Sequence, residues 1–306
     1  RSTLDRSSAA SDVYKRQMTK DVLKSRRNDM WKYEEILPIF DEHNIVSLGE
    51  GNTPLMKMNN LSKFLKIDNL YVKDESNNPT GSFKARGLSA AISKAKEFGI
   101  KGIVMPSAGN AAGAMSAYAA KSKMSANVFM PKDAPLANKM ECIAFGAKVE
   151  LVNGFISDAG KASAEAAEKY DLFDISTLKE PFRVEGKKTM GLEIIEQLSW
   201  EVPDVIIYPT GGGTGIVGIW KAINELEEIA VDKGANAKFT GPLPYSMMNE
   251  CYAACDILIV GHYVDERLRD YALPKKMLDA MAYKIPVIVG PYEARKKIVE
   301  RYKCGI

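Results

Sequence analysis

Histidine and cysteine are scarce in this chain. His43 and His262 are the only histidines, and the four cysteines, Cys142, Cys251, Cys255 and Cys304, follow neither zinc-ligand nor C-x-x-C spacing. That excludes the usual metal-site patterns, so no metal is expected. Thiols so dispersed suit a reducing compartment, and a cytoplasmic protein is expected. Cys251 and Cys255, four residues apart, read as helix core. No apolar run approaches the about 20 residues that span a bilayer, so no membrane partner is expected. A net charge of +3, with no interleaved basic and aromatic cluster, gives no reason to expect nucleic acid. Residues 1–17, RSTLDRSSAASDVYKRQ, lack the apolar stretch of a signal peptide and resemble translated adaptor sequence. They are expected to be a non-native leader, with Met18 as the native start.

Apolar runs of strand length alternate with helical stretches over most of the remainder. LYVKDE, GIVMP, ANVFMP, KVELV, DLFDIS and DVIIYPT read as strands, each followed by helix-forming or glycine-bearing sequence. WKYEEILPIF reads as helix or turn. Repeated β–α alternation predicts an α/β protein with a mostly parallel sheet. In such sheets ligands bind beyond the carboxyl ends of the strands. Three polar loops are expected to converge there: 78–84, 107–111 and 210–215.

The third loop, in DVIIYPTGGGTGIVG, places glycine at four of the five positions 211–215 before a helix. Glycines let successive backbone amides turn inward, and a helix N-terminus adds a favourable field, so the loop reads as a phosphate cradle. GTGIVG (213–218) also matches the dinucleotide pattern G-x-G-x-x-G, but the acid expected about 20 residues on, at the end of a second strand, is missing. Asp232 instead precedes the apolar residues there. No Gly-Lys-Ser/Thr follows, which excludes a Walker loop. SAGN (107–110) reads either as plain helix capping or as a carboxylate-binding loop in which Asn110 also reaches a ring hydroxyl. Lys84, in NPTGSFKARG, stands where a helix N-terminus disfavours cations. Alone it would be an exposed first-turn lysine. Beside a phosphate cradle it reads as the Schiff-base lysine of pyridoxal phosphate, a desolvated amine of lowered basicity.

From Trp31 to Glu228 the chain resembles the threonine synthase family of pyridoxal-phosphate enzymes, of the tryptophan-synthase-β-like fold type II. The matching stretches are WKYEEILP, SLGEGNTPL, ESNNPTGSFKARG, PSAGNAAG, EPFRVEGKKTMGLE and IIYPTGGGTGIVGIWKA. The lysine motif is shared with serine/threonine dehydratases, whereas the first two stretches and EPFRVEGKKTMG look more particular to threonine synthases. The resemblance implies that Lys84 bonds the cofactor aldehyde and that Asn110 contacts the ring hydroxyl. It implies that Gly211, Gly212, Gly213, Thr214 and Gly215 hold the cofactor phosphate. Ser107, Ala108 and Gly109 would hold the substrate carboxylate. Arg183 would hold the substrate's own phosphate, assisted by Lys187 or Lys188, unless it is a surface ion pair. The implied reaction turns O-phosphohomoserine and water into threonine and phosphate. Three alternatives stay open: a dehydratase or other β-eliminating enzyme, a non-catalytic cofactor binder and, from the chain beyond Glu228 alone, a glycosyltransferase. A homodimer is also left open.

Threonine synthases continue well past Glu228, and the pattern here does not follow them. FTGPLPY and LPKKMLDAMAYKIPVIV instead resemble the C-terminal, Rossmann-like nucleotide-sugar domain of retaining glycosyltransferases. Asp279 stands where glutamate is usual there, and Tyr271 where a partner acid is expected. His262 is a weak candidate for sugar contact. A join of two reading frames within 228–238 is expected, with a genuine fusion as the alternative. The expected organisation is a leader (1–17), a truncated pyridoxal-phosphate domain (18–235) and a glycosyltransferase-like fragment (236–306). The middle domain would have a small subdomain at about 85–175 and a large one at about 30–84 and 176–235. The fragment's strands are expected to dock beside a strand at 204–208, covering an exposed sheet edge.

Overall fold

The computed structural model describes residues 20–231 and two short strands, 258–260 and 287–289. The readings placed on 1–17, on the join beyond 231, and on Cys251, Cys255, His262, Tyr271 and Asp279 lie outside the described residues. The chain divides into two compact units. One runs to Val202 and includes Val217–Ile229; the other takes Pro203–Ile216 and the chain from Ala230 onward.

The first unit opens with α1 (Lys20–Ser25) and a 3-10 segment, Met30–Ile36, in the WKYEEILPIF stretch. Then come β1 (Leu55–Lys57), α2 (Asn59–Leu65) and β2 (Tyr71–Lys73), with β1 and β2 antiparallel. The central sheet follows α3 (Lys84–Glu97). Its strands are β3 (Gly102–Pro106), β4 (Ser125–Pro131), β5 (Lys148–Val152) and β6 (Phe173–Asp174), in order β5-β4-β3-β6 and all parallel. Parallel neighbours need crossovers. These are α4 (Asn110–Ser122), α5 (Leu136–Ala144) and α6 (Ile156–Tyr170).

Strand period two sends alternate residues to opposite faces, and both faces are covered. Ile103, Met105, Val128 and Met130 join Leu88 and Ile92 of α3 and Met115 and Tyr118 of α4 in one core. Val104 and Phe129 pack on the other side against Ala159 and Ala166 of α6. The runs GIVMP and KVELV coincide with β3 and β5, whereas LYVKDE and DLFDIS contribute three and two strand residues.

Helix α7 (Phe182–Gln197) lies against α3, and glycines set the spacing. A β-carbon on Gly87 would come 2.9 Å from the Arg183 carbonyl oxygen, and one on Gly186 would overlap the Arg86 carbonyl. Helix α8 (Thr214–Val231) packs Ile219 and Ala222 against Gly191 of α7 in the same way.

Two expectations are corrected in the second unit. The run 204–210, expected as a strand, forms none, and its Val205 and Ile207 are largely exposed. An extended segment needs a neighbouring strand to take its backbone hydrogen bonds, and none pairs with it among the described residues. The expected docking is not found among the described residues either. β7 (Leu258–Val260) and β8 (Val287–Val289) pair in parallel with each other in a separate two-stranded sheet, with no ladder to 204–208.

Candidate active site

Lys84 is the first residue of α3, and the turn before it is closed by its own polar groups. The Gly81 amide donates to the Asn78 carbonyl at 2.8 Å, and the Lys84 amide to Ser82 Oγ at 3.3 Å. Arg183 and Lys187 stand one helical turn apart on α7, hence on one face. The glycine contact between α3 and α7 brings that face to Lys84. Lys187 runs alongside Gly87, with its Cε 3.0 Å from where a β-carbon on residue 87 would sit. Both amines approach the Phe83 ring, with Lys84 Nζ 4.2 Å and Lys187 Nζ 5.1 Å from its centroid.

Arg183 is buried, so the surface-ion-pair reading does not hold. Its Nη1 donates to the Ile175 carbonyl and its Nη2 to Thr177 Oγ1, both at 2.8 Å. Glu180, also buried, accepts the Arg183 amide through Oε2 at 3.0 Å. Its other oxygen, Oε1, stops 3.6 Å from Arg183 Nε, and neither atom has a hydrogen-bond partner.

Burial removes hydration that an ammonium needs, and neighbouring cations add repulsion. Burial, then Arg183, brings the Lys84 amine down to about 8. Burial, then Lys84 and Arg183, brings Lys187 down to about 6, with Glu180 pulling the other way. Burial raises the Glu180 carboxyl against the pull of the Arg183 amide and guanidinium. A lysine brought down to about 8 has the partly deprotonated amine that attack on an aldehyde requires.

Lys188 is separated from this cluster. Consecutive helical residues point about 100° apart. Its Nζ accordingly faces away, 2.7 Å from the Ile36 carbonyl, 2.8 Å from Glu185 and 2.9 Å from Glu225.

The 107–110 loop continues from the carboxyl end of β3. Gly109 occupies the N-cap position of α4, and no side chain caps that helix. Ser107 Oγ instead meets the Gly109 amide at 3.3 Å, and Asn138 Nδ2 steadies the Ala108 carbonyl at 2.7 Å. Plain capping by Ser107 or Asn110 therefore does not account for the motif, and Asn110 lies exposed at the first helical position. In the second unit, Gly211, Gly212 and Gly213 lead into α8, which starts at Thr214. Gly213 adopts φ +82°, a left-handed conformation that favours glycine. At Gly215 a β-carbon would overlap the Tyr208 ring.

A buried charge network lies behind the site and went unread in the sequence. Arg86 Nε and Nη2 donate to Glu75 at 2.7 and 2.8 Å, and Nη1 and Nη2 each donate to Glu193 at 2.7 Å. Glu193 also accepts the Asn52 amide at 2.8 Å and Lys73 Nζ at 2.9 Å. The SLGEGNTPL loop is thereby fastened to α3 and α7. Gly51 in that loop has φ +100°, and a β-carbon there would come 2.9 Å from Glu193 Oε1. Among the described residues no group of three or more His, Cys, Asp or Glu could hold a metal, and no helix is long and apolar enough to cross a membrane.

A parallel α/β unit with a half-buried lysine at the head of α3 is the arrangement of the fold type II class of pyridoxal-phosphate proteins. The chain belongs to the pyridoxal-phosphate dependent enzyme family, whose profile matches residues 46–263, running past the interval 228–238. It is 40% identical over 214 residues to a threonine synthase of Methanocaldococcus jannaschii, covering 70% of this chain and 53% of that protein. To a threonine synthase of Methanosarcina acetivorans it is 35% identical over 210 residues, covering 68% and 51%. The chain thus spans about half the length of these curated relatives. Among solved structures it is similar to threonine deaminase isoform 2 from Solanum lycopersicum, with TM-score 0.52 and 28% identity over 57% of this chain and 48% of that one.

Proposed function

We propose that this chain carries the site of a threonine synthase-like lyase that takes O-phosphohomoserine and water to threonine and phosphate, with pyridoxal phosphate as cofactor. The observation that carries this reading is the buried pair Arg183 and Lys187 beside Lys84. A phosphate monoester needs such cations. A dehydratase acting on an unphosphorylated hydroxy amino acid does not.

Lys84 is the proposed covalent anchor of the cofactor aldehyde, Asn110 the contact to its ring hydroxyl, and Gly211, Gly212, Gly213, Thr214 and Gly215 the amides and hydroxyl around its phosphate. Ser107, Ala108 and Gly109 receive the substrate carboxylate. When bound, the cofactor supplies an electron sink for charge developing on substrate carbon. Lys84 Nζ, poised near neutrality by burial and Arg183, takes and returns protons at the substrate carbons. Arg183 orients the phosphate ester through its planar donors and holds the departing phosphate. Lys187 adds a second positive group one turn away. Lys188 has no part in this, being committed to Glu185 and Glu225.

The test is a paired assay on the purified chain, measuring phosphate released from O-phosphohomoserine and keto acid released from threonine. Phosphate release without keto acid is the expected result. Keto acid release from threonine alone would reassign the chain to the dehydratases.

A further inference from the structure

Helix α5 carries an apolar stripe on its outer side. Its inner side is engaged: Asn138 reaches the Ala108 carbonyl at 2.7 Å, the Glu141 carboxylate lies against Gly113 of α4, and Cys142 enters the core. The opposite side holds Leu136, Met140 and Ile143, spaced four and three residues apart. They stand 71%, 54% and 53% exposed. Cys142 shares its core with Val149 of β5, so α5 covers the sheet face to which Val149 and Leu151 point. Leu151 is itself 47% exposed. Clustered apolar exposure of this kind marks an interaction surface.

Strand β5 indicates the occupant. It ends the sheet order β5-β4-β3-β6, so one of its edges has no partner strand among the described residues. The Lys132 amide donates to the Val152 carbonyl at 3.0 Å, which turns Val152, Glu150 and Lys148 toward β4. The backbone groups of Val149 and Leu151 therefore face the open edge. Lys148 and Glu150, whose side chains lie on the other sheet face, form an exposed ion pair at 2.9 Å. A charged edge ordinarily repels a further strand. Here opposite charges flank Val149, and that pattern is complementary to itself. Antiparallel pairing about a twofold axis at Val149 sets each Lys148 opposite Glu150 of the second copy. It also sets Leu151 opposite Ala147 of the second copy, on the face that α5 covers. Moving the axis to Glu150 would oppose the two glutamates, and moving it to Leu151 would leave both charges without an opposite.

We propose that this face is a twofold interface with a second copy of the chain, formed by edge-to-edge pairing of β5 and packing of the two α5 stripes. A twofold axis normal to the sheet keeps its faces, so the two sheets run on as one with both α5 helices on the same side. Leu136, Met140 and Ile143 then approach their counterparts, while Lys148 and Glu150 fix the register from the opposite face. Dimerisation also clamps from outside the helix whose Asn138 steadies the Ala108 carbonyl. The interface goes beyond the functional reading and does not depend on which substrate the site takes.

The experiment is sedimentation velocity on the purified full chain over a range of concentrations, with charge-reversed variants. The wild type is expected to show a concentration-dependent equilibrium between monomer and dimer. Lys148→Glu sets like charges opposite each other twice across the axis, and Glu150→Lys does the same. Each single variant is expected to dimerise about tenfold or more weakly. An equimolar mixture of the two is expected to recover association, because every reversed charge then faces an opposite one. Mixing does not rescue a variant that has merely lost its fold. Met140→Glu is expected to weaken the dimer too, and mixing it with either charge variant restores nothing. A wild type that stays monomeric would overturn the proposal and leave the stripe to a different protein. Dimers indifferent to both charge reversals would overturn it by placing the contact elsewhere, and so would a mixture that fails to associate. Sedimentation does not read turnover, so these outcomes stand apart from the fate of the threonine synthase reading.

Discussion

Gly186 of α7 sits against the carbonyl oxygen of Arg86 on α3, and a β-carbon at 186 would overlap that oxygen and come 2.8 Å from Ala90 Cβ. The obstacle is backbone, which cannot swing aside as a side-chain tip can. Gly186→Ala should therefore push the two helices apart and cost about 1–3 kcal/mol, the range of an overpacked core. The denaturation midpoint reads this. An unchanged midpoint would mean that the helices slide freely at this crossing. Lys84 and Lys187 approach through the same crossing, so cofactor attachment should weaken along with stability.

The Glu193–Arg86 pair gives an acid-side prediction. Burial pushes the Glu193 carboxyl up, but Arg86, Lys73 and the Asn52 amide outweigh it and hold it down at about 2. A carboxylate depressed in the folded state stabilises fully above its unfolded value, near 4.5, and loses that contribution as pH falls through about 2. Stability should decline over that interval. Glu193→Gln leaves Arg86 with one acid partner fewer in a buried site and should cost about 3–5 kcal/mol at neutral pH. It should also flatten the decline between pH 4.5 and 2. Acid denaturation curves of the two proteins that keep the same slope would contradict the assignment.

The legible parts of this fold were local. GIVMP and KVELV are short apolar runs bounded by glycine or charge, and each became the strand it resembled. Arg183 and Lys187 share a face because four residues make about one helical turn, and the same arithmetic separates Lys188, which the sequence reading had grouped with them. The run at 204–208 was read from its own composition, but a strand exists only where a neighbour completes its ladder, and composition does not reveal a neighbour. The Arg86–Glu193 pair joins residues 107 positions apart, so no window along the chain contains it. Glu180 was quoted within EPFRVEGKK, yet its role depends on Oε1 stopping short of Arg183 Nε, which only coordinates reveal.

Lys84 should titrate unlike an ordinary surface lysine. Burial, then Arg183, sets its amine at about 8 instead of 10.5. Competitive acetylation of the cofactor-free chain across pH 6–11 reads this directly, as a reactivity midpoint near 8. Arg183→Gln removes the nearby positive charge and should move the midpoint upward, while burial keeps it below the ordinary lysine value. A wild-type midpoint near 10.5 would mean that the amine is hydrated, and the case for Lys84 as the cofactor anchor would lose its physical basis.

Gly213 separates a phosphate cradle from a mere turn. Its φ of +82° is strained for any residue with a β-carbon, so Gly213→Ala should cost about 1–3 kcal/mol locally or reshape the loop. A reshaped turn that binds nothing would leave ligand preference untouched. A cradle aims its amides at phosphate oxygens, so the variant should lose affinity for pyridoxal phosphate while binding unphosphorylated pyridoxal as the parent does. Lys84 is present in both proteins, so any common loss of covalent attachment cancels in the ratio of the two affinities. That ratio should fall about tenfold or more, the equivalent of about 1.4 kcal/mol. An unchanged ratio would remove Gly211–Gly215 from the cofactor site and leave the helix start at Thr214 as an ordinary glycine turn.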